Sequence, residues 1–126
     1  MSIKKKIKLL IIDDEKDICE FEKNYFDKRN LETHTAQDTK QAVILAKKVL
    51  PDIAIIDIHM RAESGIDILK KLLQVYSGCK CIMVTWDKEK AKEAKKLGAV
   101  DFVIKPVELS DLERSVNKII KKIRKE

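Results

Sequence analysis

Two short apolar runs in this chain stop abruptly on acid. Leu9-Leu10-Ile11-Ile12 ends on Asp13-Asp14, and Ile53-Ala54-Ile55-Ile56 ends on Asp57. A continuous apolar run of about four to eight residues, rich in β-branched types, reads as a strand covered on both faces. Strands of that kind belong to parallel sheets, whose crossover connections lay helices over both sides. The carboxyl ends of such strands are where open α/β sheets collect their ligand sites. The chain is therefore constrained twice, in its architecture and in where its chemistry lies.

The segments between fit that demand. A strand over residues 8–12 is followed by helical spacing in Ile18, Phe21, Tyr25 and Phe26 over 16–28, with Asn30 as a stop. Residues 31–36 alternate and read as a second strand. Asp38 or Thr39 can cap a second helix with Ala42, Leu45, Ala46 and Val49 inward, ended by Pro51. After the Asp57 strand and a loop over 60–65, Ser64 can cap a third helix with Ile66, Leu69, Leu72 and Leu73 inward, closed by Ser77-Gly78. A fourth strand covers 79–85. The helix over 89–97 has only Ala91, Ala94 and Leu97 as its apolar stripe, which predicts a loosely held element. Gly98 ends it. A fifth strand over 101–104 leads to Lys105-Pro106 and a last helix from about 110, with Leu112, Val116, Ile119 and Ile123 inward. Five strands alternating with five helices predict βαβ units in a mainly parallel sheet.

Length allows one domain, residues 1–126, with a real core and no second domain or linker. The formal charge of +6 comes mostly from scattered lysines, which reads as solvated helix faces before nucleic acid, anionic membrane or an acidic partner. No apolar run approaches the ~20 residues of a membrane span, and the basic stretch before Leu9 meets acid too soon for a signal peptide. The expected location is cytoplasmic. Cys19, Cys79 and Cys81 make an odd number, which suggests buried thiols and no disulfide framework.

In a right-handed parallel fold, the strand ends share one edge. That edge gathers Asp13 and Asp14, Asp57, Thr85 and Lys105. Clustered carboxylates repel, so one takes up a proton unless a cation is present. A hard divalent ion with oxygen ligands, Mg²⁺ being abundant, answers the need. Metal-ligating acids, a lysine and a hydroxyl around a further carboxylate suit phosphoryl transfer with Asp57 as nucleophile.

These residues carry a resemblance. Leu10-Ile11-Ile12-Asp13-Asp14-Glu15, Asp57 with Met60 and Gly65 beyond it, Thr85, and the run from Gly98 to Pro106 are similar to the receiver domains of bacterial two-component response regulators. The likeness spans residues 7–123. It implies a flavodoxin-like doubly wound sheet of order 2-1-3-4-5. It also implies that Asp57 accepts a phosphoryl group from a histidine kinase or phosphotransfer protein. Asp14 resembles the direct Mg²⁺ ligand, Asp13 one acting mainly through water, and the His59 backbone carbonyl a further one, its imidazole not being required. Thr85 would hydrogen-bond the phosphoryl group, Lys105 would pair with it, and Lys105-Pro106 is expected to be cis. Phe102 matches an aromatic switch position, and the surface of the fourth helix, fifth strand and fifth helix would contact a downstream protein. Such a chain is not an enzyme beyond its own phosphorylation and dephosphorylation.

The chain departs from that family at Trp86, where a small residue is usual. An indole there could lie over the site and restrict small phosphodonors and water. Arg61 replaces a frequent proline, Ser64 a frequent aspartate and Val107 a common aromatic, while His59 and Asp87 occupy positions that tune phosphoryl lifetime. The main alternative is a pseudo-receiver that binds partners without phosphorylation, which Trp86 favours and the full set of Asp13, Asp14, Asp57, Thr85 and Lys105 opposes. An aspartyl phosphatase would want Asp-x-Asp after the first strand. A nucleotide or flavin binder would want a phosphate loop where Asp13-Asp14-Glu15 repels phosphate. DNA binding through the basic last helix is a further alternative, its lysines reading more simply as a solvated face.

Overall fold

The structure, a computed structural model, describes residues 5–125. Strands β1 (Lys8–Ile12), β2 (Glu32–Ala36), β3 (Ile53–Asp57), β4 (Lys80–Thr85) and β5 (Asp101–Ile104) alternate with helices α1 (Lys16–Asp27), α2 (Thr39–Val49), α3 (Gly65–Val75), α4 (Lys88–Lys96) and α5 (Leu109–Lys125). All neighbouring strands are parallel, in the order β2-β1-β3-β4-β5.

Because successive strand residues face opposite ways, each apolar strand feeds two cores. Leu10, Ile12, Ala54, Ile56, Cys81 and Met83 pack with Ala42 and Ala46 of α2, Leu69 and Leu72 of α3, and Ala94 of α4. Leu9, Ile11, Ile53, Ile55, Ile82 and Val84 pack with Cys19 and Phe26 of α1 and Leu112, Val116 and Ile119 of α5. Burying one such aliphatic side chain fully contributes roughly 1.5–3 kcal/mol. Every residue of β3 is buried, as an unbroken apolar strand requires.

Local signals act as expected at most ends. The Asp38 carboxylate caps α2 by accepting from the Gln41 N–H, and the Ser64 hydroxyl caps α3 by accepting from the Ile66 N–H. Leu50 ends α2 in a left-handed conformation directly before Pro51, and Asn30 takes a positive φ after α1. The Lys105-Pro106 peptide is cis. Beyond slight shifts in element bounds, two helix ends and one helix face differ from expectation. Helix α3 ends at Val75, short of Ser77-Gly78, because Tyr76 is already extended. Leu97 is the C-cap of α4 and stands partly in solvent, so Ala91 and Ala94 alone bury that helix. In α1 the inward face runs through Cys19, Glu22 and Phe26, while Phe21 is 63% exposed. Of the expected residues Phe26 is buried, Ile18 and Tyr25 are half-buried, and Phe21 alone faces solvent, while the row through Cys19 and Glu22 has helical spacing too. It contains a charged residue, which a hydrophobic pattern assigns to solvent.

Candidate functional site

Strand register assembles the polar edge. Ile12 of β1 lies opposite Ile56 of β3, so Asp13 and Asp57 are the next residues on adjacent strands. Asp57 lies opposite Val84, one before Thr85, and Thr85 lies opposite Ile104, one before Lys105. Carboxylate oxygens of Asp13, Asp14 and Asp57 fall within 4.8 Å of one another. Lys105 Nζ donates to the Asp57 carboxylate, 3.2 Å from Oδ2, and lies 3.2 Å from Oδ1 as well. The His59 backbone N–H donates to Asp57 Oδ1 at 2.9 Å, while Gly65 N–H donates to the Ile58 carbonyl and ties α3 against the end of β3.

Gly65 has to be glycine for steric reasons. A Cβ there would meet the Asp57 carbonyl oxygen and lie 2.7 Å from the Ile58 Cα, both of them backbone and unable to turn away. The close approach is what brings the start of α3 under the acidic edge.

Charge is concentrated and partly sheltered. Burial pushes the Asp13 carboxyl up to about 6, its repulsion from Asp57 adds to this, and a hydrogen bond from the Glu15 N–H at 2.9 Å opposes it. Asp14 accepts at 2.8 Å from the Arg61 backbone N–H, with the Arg61 guanidinium 3.4 Å away. This gives the Arg61 departure a reason, since a proline could not donate there. Three converging carboxylates with a buried, proton-attracting member are a donor set of hard oxygens, and they fit Mg²⁺.

The other site residues fall as follows. Thr85 is fully buried, and its hydroxyl accepts from the Asp87 N–H at 2.9 Å. Asp87 in turn caps α4, accepting from the Glu89 and Lys90 N–H groups. Phe102 is half-buried on β5, opposite Met83. Trp86 is 63% exposed and stacks on the His59 ring, centroids 4.6 Å apart and planes 15° from parallel. The His59 ring, not required for the expected backbone role, also meets Thr85, with Nε2 2.6 Å from Oγ1. Partial burial lowers the pKa of that imidazole.

A second feature escaped the sequence reading. Beside Asp13 and Lys105 opens a cleft of about 610 Å³ between α1 and the start of α5, lined by Phe21, Glu22, Pro106, Val107 and Leu109. Burial raises the Glu22 carboxyl to about 7, with repulsion from Asp13 and Asp57 adding to it. Glu22 goes unmarked in the sequence because the burial of an acid is invisible in a polar/apolar pattern.

The fold and its acidic edge define a doubly wound α/β domain, and comparison with known proteins gives the family. The chain belongs to the response regulator receiver domain family, which it matches over residues 9–117. It is 32% identical to the regulatory protein AtoC of Escherichia coli over 115 residues, covering 90% of this chain and 25% of that protein. It is 28% identical over 115 residues to sporulation initiation phosphotransferase F of Bacillus subtilis, covering 90% of this chain and 93% of the relative. A solved response regulator receiver domain protein from Clostridium thermocellum superposes with a TM-score of 0.86 at 28% identity, covering 94% of this chain and 97% of that one. The chain thus spans about a quarter of AtoC and nearly all of the Bacillus relative. Receiver domains are phosphoacceptors rather than conventional enzymes, bind Mg²⁺ at acidic residues, and work with histidine kinases or phosphotransfer proteins and with effectors.

Proposed function

We propose that Asp57 is the phosphoacceptor of this receiver and that Asp13, Asp14, Asp57 and the His59 backbone carbonyl hold Mg²⁺ for the transfer. The observation that carries the reading is the convergence of the three carboxylates with the Lys105 ammonium 3.2 Å from Asp57. An Asp57 carboxylate oxygen attacks the phosphorus of a phosphohistidine, an O–P bond forms as the P–N bond breaks, and the imidazole leaves with the electron pair and takes a proton. Lys105 stabilises charge on the phosphoryl oxygens as they are transferred, and Thr85 then donates to one of them. Mg²⁺, when bound, supplies further neutralisation of the phosphoryl oxygens.

The donor is a histidine kinase or histidine phosphotransfer protein, and the cleft beside Lys105 offers room for its approach. Phe102 follows Thr85 inward when Asp57 is modified. The surface of α4, β5 and α5 passes that change to a downstream protein, without nucleic acid or membrane contact through this domain. Catalysis extends to the chain's own phosphorylation and dephosphorylation, in the cytoplasm. Trp86, stacked on His59, screens the site from small phosphodonors and water. We further read residues 1–126 as one receiver unit.

The test is intact-mass spectrometry after treatment with acetyl phosphate and Mg²⁺. One added phosphoryl group, absent from Asp57→Asn and from samples containing a chelator, is expected. Labelling that persists in Asp57→Asn refutes the assignment.

A further inference from the structure

We propose that the His59 side chain is a latch that holds the Thr85 hydroxyl in its resting position, and that the Trp86 indole clamps the latch shut. The inference rests on Asp57 being the phosphoacceptor and on Thr85 having to turn toward it.

The contacts form a closed circuit. Thr85 Oγ1 lies 2.6 Å from His59 Nε2, its shortest polar contact, and takes the Asp87 N–H at 2.9 Å on another side. A hydroxyl has one proton and two lone pairs. In either imidazole tautomer, the bond to His59 directs the Thr85 oxygen toward residues 59 and 87. The groups holding the Asp57 carboxylate are different ones, the His59 backbone N–H and Lys105 Nζ. Thr85 is fully buried, so water cannot take over a partner that leaves it.

The ring is gripped from two consecutive positions. Thr85 ends β4 and Trp86 follows it in a bend, where the chain leaves the pleat. The hydroxyl of one meets the imidazole edge while the indole of the next lies on the imidazole face. In a continuing strand these side chains would point to opposite faces and could not share one ring. An exposed tryptophan therefore has a task here: its stacking fixes the imidazole where Thr85 must find it. Through its backbone, His59 also holds Asp57 Oδ1. One residue thus grips both the acceptor carboxylate and the hydroxyl that is to meet it.

Engaging a phosphoryl group at Asp57 then requires the 2.6 Å bond to break. The resting state is favoured by that bond and by the stacking, so the modified state is populated less than it would be without them. His59 acts here as a positioning residue through Thr85.

The experiment measures beryllofluoride binding in the presence of Mg²⁺ for the wild type, His59→Ala and Trp86→Leu, by titration calorimetry, with circular dichroism confirming the fold of each. Loss of the latch is expected to tighten binding about tenfold in His59→Ala, and about threefold in Trp86→Leu, where only the clamp is lost. Imidazole ¹⁵N shifts give a signature that mere structural support would not produce. Saturating beryllofluoride should move the His59 resonances as Thr85 departs, while those of His34, which pairs with Glu32 at 2.8 Å on β2, stay still and serve as reference. If His59→Ala binds as tightly as wild type or more weakly, or the His59 shifts do not change, the latch is wrong while the phosphoacceptor reading stands. A wild type that binds neither Mg²⁺ nor beryllofluoride overturns that reading, and the latch with it.

Discussion

Replacing Glu22 by Gln tests the electrostatics of the cleft through stability. Burial holds the folded-state carboxyl at about 7 against an ordinary value of 4.5. A carboxyl whose pKa is raised on folding favours the folded state fully below its unfolded value and loses that contribution as pH rises through the folded one. The window is therefore pH 4.5 to about 7, with stability falling as pH climbs. The full shift sets a ceiling of about 3 kcal/mol. Solvent reaching the rim of the cleft reduces this, so a loss on the order of 2 kcal/mol is the expected scale. Gln keeps the shape and cannot ionise. Urea unfolding should thus show Glu22→Gln close to wild type near pH 5 and more stable by about 1–3 kcal/mol near pH 8. A difference that does not vary with pH, or a wild type that is the more stable near pH 8, would refute the placement of Glu22 on the inward face of α1.

Gly65→Ala should destabilise the fold by more than about 3 kcal/mol, since the new methyl meets backbone at the end of β3. Thermal melting and Mg²⁺ titration should both register it. Trp86→Ala should speed acetyl-phosphate labelling, dephosphorylation, or both, by opening the face above His59, and unchanged rates in quench-flow mass spectrometry would remove the screening role. Native-state hydrogen exchange should find α4 the least protected helix, because only Ala91 and Ala94 anchor it. Protection there equal to that of α3 would contradict this.

Strands and the acids at their ends are legible in the sequence because their signals are local. Ile53 to Ile56 can be little else than a buried strand, and a carboxylate at its end has few structural uses. Caps at Asp38 and Ser64 were legible for the same reason. What escaped depends on contacts between distant residues. The face of α1 is legible in part, because rows through Ile18 and through Cys19 both have helical spacing and the fold turns Phe21 out and Glu22 in. Nothing near His59 in sequence announces that Thr85 and Trp86, 26 and 27 positions later, converge on its ring. Arg61 reads in the sequence as a missing proline, and only the assembled loop shows its N–H held by Asp14.

The lysine of the site comes from a different part of the sheet than its acids. Asp13 and Asp57 extend from β1 and β3, each bordered by a strand on both flanks, whereas Lys105 extends from β5, the four-residue margin bordered only by β4. Shifting an inner strand would tear two ladders of backbone bonds; shifting the margin would tear one short one. The Lys105 ammonium thus ties the buried Asp57 carboxylate to the side of the molecule that yields most cheaply.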